Sequence, residues 1–348
     1  MKDVKFITAC PDDNYYTWQV HLWLESLKDL NLSKDAIILI YRPLAREANT
    51  KWEKIEKLYP ETEFNYIIER EGENMNTLIG IYIPIIRTYS MWRYLKSNPS
   101  IGTTNALFFC DSDILFTKDF NIDKFLDDDD NVNYVSDSVS YMGATYFKNK
   151  VTDVLPDKVE EFKKRDILAE LLSLIGVDRE VADINQEHSG GVQYILKNST
   201  ADFWQKVMND AILIRTYMQK VNREFFANQD IGYQSWCADM WSILWNLWFM
   251  EREVKVVPEL DFSWASCKID QLDKKTIFHN AGITGESMPH DGGGTHLCFY
   301  KGKYHMGTDP TKDPVLDEII NSEESQKFCT WFYAKKVKEI GEKYNIDY

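Results

Sequence analysis

Leu107-Phe108-Phe109-Cys110-Asp111-Ser112-Asp113-Ile114-Leu115-Phe116 is the stretch on which the reading of this chain turns. An apolar run (Asn105-Ala106-Leu107-Phe108-Phe109-Cys110) suits a strand buried on both faces, and it ends directly at two carboxylates one residue apart. Side chains alternate along an extended backbone, so Asp111 and Asp113 project to the same side. A pair of carboxylates so placed suits a hard divalent cation whose remaining positions can take diphosphate oxygens. Two acids also end many strands in a plain solvated turn. A surface turn, however, is not normally followed by Ile114-Leu115-Phe116.

Upstream, short apolar runs at 4–9, 36–41 and 64–68 alternate with helical spacings at 15–30, 46–58 and 84–95, the last with Pro84 in its first turn. Strands separated by helices of this length predict an α/β fold with a mostly parallel central sheet and right-handed crossovers. Ligands of such sheets bind beyond the carboxyl ends of the strands, where Asp12, Asp13, Asp111 and Asp113 fall. Downstream, residues 150–184 read as a charged helical insertion and 191–196 as a strand. Helices follow at 199–219 and 233–250, then strand-like runs at 254–257 and 276–278. A glycine-rich loop, His290-Asp291-Gly292-Gly293-Gly294, precedes an amphipathic C-terminal segment within 312–346, helical from 314 to 344. With no repeat and no low-complexity linker, one catalytic domain over 1–348 is the simplest expectation.

Composition removes several classes. With 55 acidic against 40 basic residues the formal charge is −15, which disfavours nonspecific binding to a phosphate backbone. The acidic run 127–130 reads as a solvated loop, because four adjacent like charges repel. Six scattered cysteines without a Cys-x-x-Cys pair fit neither a zinc site nor a small disulfide scaffold, and reduced thiols in a cytosol-like compartment suit them. The first residues run into a strand pattern with no apolar leader, and no segment is apolar and long enough to span a membrane, so the expectation is a soluble cytoplasmic protein, of microbial or viral type. Aromatic residues are abundant at 14%, enough for core packing and for sugar-stacking platforms alike.

The apolar strand running into Asp111-Ser112-Asp113 resembles the GT-A glycosyltransferases, nearest to their peptidyl-serine/hydroxyproline glycosyltransferase-like and glycogenin-like groups. The resemblance implies a Rossmann-like GT-A fold. It also implies a Mn²⁺ or Mg²⁺ ion held by Asp113 and Asp111, and a nucleotide-sugar donor, UDP-sugar foremost. Asp111 can contact the donor ribose as well, with Ser112 beside it. In sequence order, Ala9, Pro11 and Asp12 then stand where the first strand ends in a nucleotide-binding loop, and Arg87 stands where relatives carry a basic donor contact. His279 in Ile277-Phe278-His279-Asn280-Ala281-Gly282 matches the histidine that completes the metal shell, with His305 as its rival; Lys301 and Lys303 are candidate diphosphate contacts.

Two further segments carry candidate roles. Gly190 and Gly191, in Asn185-Gln186-Glu187-His188-Ser189-Gly190-Gly191, resemble the turn where donor sugar and acceptor meet, and glycine lets a backbone approach a ligand closely. The stretch 236–248 is apolar nearly all round except for a stripe of Asp239, Ser242 and Asn246. A buried carboxylate needs a partner or a polar cleft, so Asp239 is expected in a structural pair or facing a cleft; the resemblance implies an acid that contacts acceptor or donor sugar, the general base in inverting relatives. Trp236 can line the sugar pocket. The acceptor stays open between a glycan hydroxyl, a protein hydroxyl and a hydroxymethylated base in DNA; stereochemistry and oligomeric state stay open too. Readings of another class are a metal-dependent phosphodiesterase or nuclease, and a noncatalytic sugar-binding module.

Overall fold

The computed structural model describes residues 3–119, 121–126, 129–281 and 298–348. The glycine-rich loop 290–294, Gly282, and Asp127 and Asp128 of the acidic run lie outside the described residues. Among the described residues there are ten strands: β1 (Asp3–Pro11), β2 (Ala36–Arg42), β3 (Glu63–Ile68), β4 (Asn105–Cys110), β5 (Ile114–Phe116), β6 (Val132–Val135), β7 (Tyr194–Leu196), β8 (Glu253–Val256), β9 (Phe262–Trp264) and β10 (Ile277–His279). The fold is α/β, with a mostly parallel seven-stranded sheet in the order β3-β2-β1-β4-β7-β6-β8 flanked by helices, and a three-stranded sheet in the order β5-β10-β9. Strand β7 runs antiparallel to both β4 and β6.

By its internal contacts the chain divides into two compact units, each discontinuous in sequence, where the sequence alone suggested one domain. One comprises Phe6–Tyr66, Cys110–Ile122 and Glu259–Tyr348. Its β1 and β2 pair in parallel from Phe6 opposite Ala36 to Pro11 opposite Tyr41, and both are apolar on both faces, as a covered parallel strand requires. Asp13 caps the next helix (Asn14–Asp29), its Oδ1 accepting from the Tyr15 amide at 3.0 Å. The C-terminal segment is not one helix: Val315–Asn321 and Cys329–Tyr344 are separate, because 322–328 turns through a short 3-10 element.

The other unit comprises Met1–Lys5, Ile67–Phe109 and Asp123–Pro258. Strand β4 is wholly buried and pairs with β7, Phe108 opposite Ile195. The long helix Ala201–Phe225 extends past the predicted 219 and packs against the helices Ile85–Ser97 and Ala238–Phe249. Trp204, Trp241 and Trp245 are fully buried in this unit, so much of the aromatic content is core. The charged segment 150–184 is helical as expected, but in short pieces; Ile167–Ile175 is capped by Asp166 and ended by Gly176 at φ +84°, a left-handed position that glycine occupies without strain. No described helix is long and apolar enough to cross a membrane.

Candidate metal centre

The three-stranded sheet brings the predicted ligands together. Strand β10 pairs antiparallel with β5 so that His279 lies opposite Ile114, the residue after Asp113. The Asn280 amide donates to the Asp113 carbonyl at 2.9 Å and fixes that register. Nε2 of His279 thereby stands 3.3 Å from Asp113 Oδ1 and 3.6 Å from Asp111 Oδ2. One ligand atom from each of Asp111, Asp113 and His279 lies within 4.8 Å of the others, and no other such group occurs among the described residues. Strand β9 runs parallel to β10 on its other side, and Trp264 stacks on the His279 ring at 5.3 Å between centroids and 28° between planes.

The electrostatics are those of a cation seat. Asp113 and His279 are 4% and 3% exposed, while Asp111 is partly open. Burial alone pushes the Asp113 carboxyl up, but the Lys301 ammonium, which pairs with Asp113 directly, and His279 overcome it and hold the carboxyl well below the ordinary carboxylate range. Asp113 is therefore a buried, ionised oxygen donor. Two carboxylates and one imidazole make a donor set suited to Mn²⁺ or Mg²⁺, with the partly exposed Asp111 on the side open to further ligands. The rival His305 stacks on Tyr15 at 3.9 Å instead, and its imidazole is held below the usual histidine value by burial and by Lys301, against the opposing pull of Asp13. Lys303 pairs with Asp313.

A second buried carboxylate, Asp239, lies in the other unit. Its Oδ1 accepts from the Tyr82 hydroxyl at 2.6 Å and its Oδ2 from Arg87 Nη1 at 3.1 Å. The Arg87 guanidinium also lies over the Phe109 ring, 4.8 Å from its centroid. Asp239 and Arg87, given separate roles from the sequence, are thus one ion pair. The polar stripe divides: Ser242 donates to the Val207 carbonyl at 2.7 Å and Asn246 to Asp210 at 2.9 Å, both on the long helix. Trp236 is 58% exposed, and its carbonyl accepts from Tyr82 at 2.6 Å. Tyr82 is the residue the sequence did not flag. Its position just before Pro84 at a helix start was the available signal.

Several other predicted residues have structural tasks. Asp12 is fully buried, bound by Arg42 Nε at 2.5 Å and Trp52 Nε1 at 2.9 Å, so its carboxylate ties 42–52 to the end of β1 rather than facing outward. Ala9 is buried within β1, Pro11 ends that strand, and Ser112 is 6% exposed between the two aspartates. A Cβ on Gly190 would stand 2.3 Å from the Ser136 carbonyl oxygen, and one on Gly191 would stand 2.8 Å from the Tyr194 hydroxyl. Each of these glycines is thus crowded by its own chain. Two neighbours of the metal centre, Tyr16 and Trp264, carry no signal in the sequence. Burial pushes the Tyr16 phenol up, and the nearby Cys10, Asp113, Asp13 and Asp111 add to it.

No protein-family model and no curated protein matches the chain. Solved structures similar to it are GT-A glycosyltransferases. The galactosyltransferase LgtC, in complex with donor and acceptor sugar analogues, is 13% identical over 80% of this chain and 87% of that one, with a TM-score of 0.41. The bifunctional glycosyltransferase WbbM is 14% identical over 81% of this chain, at a TM-score of 0.39, and the match spans 46% of WbbM's own length. Mouse xyloside xylosyltransferase 1 is 10% identical over 80% of this chain and 98% of that one, with a TM-score of 0.34.

Proposed function

We propose that the protein is a metal-dependent glycosyltransferase that moves a sugar from a nucleotide-diphosphate sugar, UDP-sugar foremost, to an acceptor hydroxyl on a glycan or protein. The observation that carries this reading is the convergence of Asp111, Asp113 and His279 on one point, with a lysine poised beside them. Asp113 and His279, both buried, would hold the divalent ion, and the partly open Asp111 would complete its protein ligands. When bound, that ion supplies Lewis-acid neutralisation of the charge that develops on a diphosphate leaving group. Lys301, freed from Asp113 once the carboxylate has another cationic partner, can turn its ammonium to a diphosphate oxygen. Its four-carbon stem is flexible, which suits such a change of partner. Asp239 orients rather than deprotonates in this scheme, since Tyr82 and Arg87 already claim both its oxygens.

A phosphodiesterase built on paired metals needs a second cluster of acids and histidines, and the described residues hold one such group. The experiment is incubation with Mn²⁺ and a panel of UDP- and GDP-sugars. Slow release of nucleoside diphosphate and free sugar, abolished by EDTA and by Asp113→Ala, is expected. Release of nucleoside monophosphate would mark a phosphodiesterase, and sugar binding without any turnover a lectin-like module.

A further inference from the structure

Strand β9 sets Trp264 against a metal ligand. In its parallel pairing with β10, Trp264 lies directly opposite His279 and Phe262 opposite Ile277. Alternation along the strand puts Phe262 and Trp264 on one face. Three rings therefore meet. The indole stacks on the His279 imidazole, and the Phe262 ring stands edge-on to both, 5.4 Å from the imidazole and 4.5 Å from the indole. These separations lie in the range where ring pairs attract. The indole is itself braced: the Trp264 amide donates to Cys267 Sγ at 3.3 Å, and its carbonyl accepts from the Cys267 amide at 3.0 Å. The Ala265 carbonyl accepts from the Thr330 amide at 2.9 Å, which ties this turn to the helix Cys329–Tyr344. Trp18, Trp23 and Trp52 of the same unit are fully buried, whereas Trp264 is only partly covered, so core filling does not account for it.

The imidazole lacks its customary anchor. A metal-bound histidine ordinarily donates its second ring N–H to a carboxylate, a carbonyl or water, and that bond fixes the ring. Nδ1 of His279 is buried and has no hydrogen-bond partner among the described residues. The plane of the ring is then set by Trp264 and Phe262, and Nε2, which stands 3.3 Å from Asp113 Oδ1, goes where that plane sends it. A stacked neighbour stops the ring from tilting, and a ligand set tolerates only small departures from its working geometry.

We propose that Trp264 is a positioning residue of the metal centre: its stack on His279 aims Nε2 at the point shared with Asp111 and Asp113, in place of the usual hydrogen bond to Nδ1. It touches neither the ion nor a substrate. The proposal rests on the metal-centre reading above. The test is Mn²⁺ binding by the full chain followed by electron paramagnetic resonance, with the spin-echo modulation of the bound ion read for a directly bonded imidazole nitrogen. Trp264→Leu keeps apolar bulk and removes the stacking plane, Trp264→Met does the same should the leucine variant fail to fold, and Trp264→Phe keeps a ring. Nitrogen modulation is expected in the native chain. Trp264→Leu should lose it and bind Mn²⁺ about tenfold more weakly, while Trp264→Phe should keep it with affinity within about threefold of native. Weaker binding with the modulation intact in Trp264→Leu would mark general packing and overturn the proposal. Native affinity in Trp264→Leu, or a phenylalanine variant as weak as the leucine one, overturns it too. Any of these results beside a native chain that binds Mn²⁺ defeats the proposal alone; a native chain that binds no Mn²⁺ defeats it together with the metal-centre reading.

Discussion

Asp113 and Asp239 are equally hidden, at 4% and 3% exposure, yet their surroundings differ in kind. Asp239 is clamped by a guanidinium stacked on a phenyl ring and by a buried tyrosine hydroxyl, partners that are planar and rigid. Asp113 is met by an ammonium on a flexible stem and by an imidazole, which is itself a metal ligand by chemistry. Burial of a carboxylate thus says only that a counter-charge exists. The identity of that counter-charge separates a site that holds a fold together from one that can exchange its partner for a metal ion.

The sharpest way to break this comparison is to remove each carboxylate in turn. Asp113→Asn should lower donor turnover by about 10³-fold or more and cost less stability than removal of Asp239, because the flexible Lys301 stem can turn its ammonium toward water; steady-state kinetics and calorimetry check both. Asp239→Ala should have the larger effect on stability. It leaves the largely covered Arg87 without its carboxylate and the buried Tyr82 without its acceptor, at a cost of about 3 kcal/mol in urea unfolding. The double variant Arg87→Met/Asp239→Leu should recover most of that loss; if it does not, the pair is more than structural.

A smaller effect gauges burial without a charge partner. His21, in the same unit as Asp113, bonds the Tyr348 hydroxyl through Nδ1 and has a buried Nε2 with no partner among the described residues. Burial holds its imidazole down at about 4, with Lys343 and Lys28 adding to the effect and Glu25 opposing it. The unfolded chain takes up this proton near 6.5 and the folded chain only near 4, so the contribution is complete above pH 6.5 and drains as pH falls toward 4. Between pH 6.5 and 5 the loss should be about 1 to 2 kcal/mol, and His21→Gln should flatten that part of the stability profile. The smallest effect concerns Lys301. Its ammonium competes for Asp113, so Lys301→Met should bind Mn²⁺ more tightly, by about threefold to tenfold, even as turnover falls.

The features legible in the sequence were those that burial forces on a short stretch. Strand β4 and the two aspartates could be read because an apolar run that meets Asp-x-Asp and then resumes fits the mouth of a buried strand and little else. His279 was legible through resemblance and not through periodicity, since strands of three residues such as β5, β9 and β10 carry no usable pattern. The need for a partner at Asp239 followed from the cost of burying charge, whereas Tyr82 and Arg87 lie more than 150 residues away in sequence and nothing local marks them as its partners. The same distance problem hid Arg42 and Trp52, which turn Asp12 from an expected nucleotide contact into an internal tie. At Gly190 and Gly191 the missing Cβ was visible, but whether backbone or ligand fills that space is a tertiary fact.

The central claim is a single cation seat made by Asp111, Asp113 and His279. Mn²⁺ binding followed by electron paramagnetic resonance tests it directly on the native chain and on the Asp113→Asn and Asp239→Asn variants. One site per chain is predicted in the native protein, retained in Asp239→Asn and lost in Asp113→Asn. Undiminished Mn²⁺ binding by Asp113→Asn would contradict it.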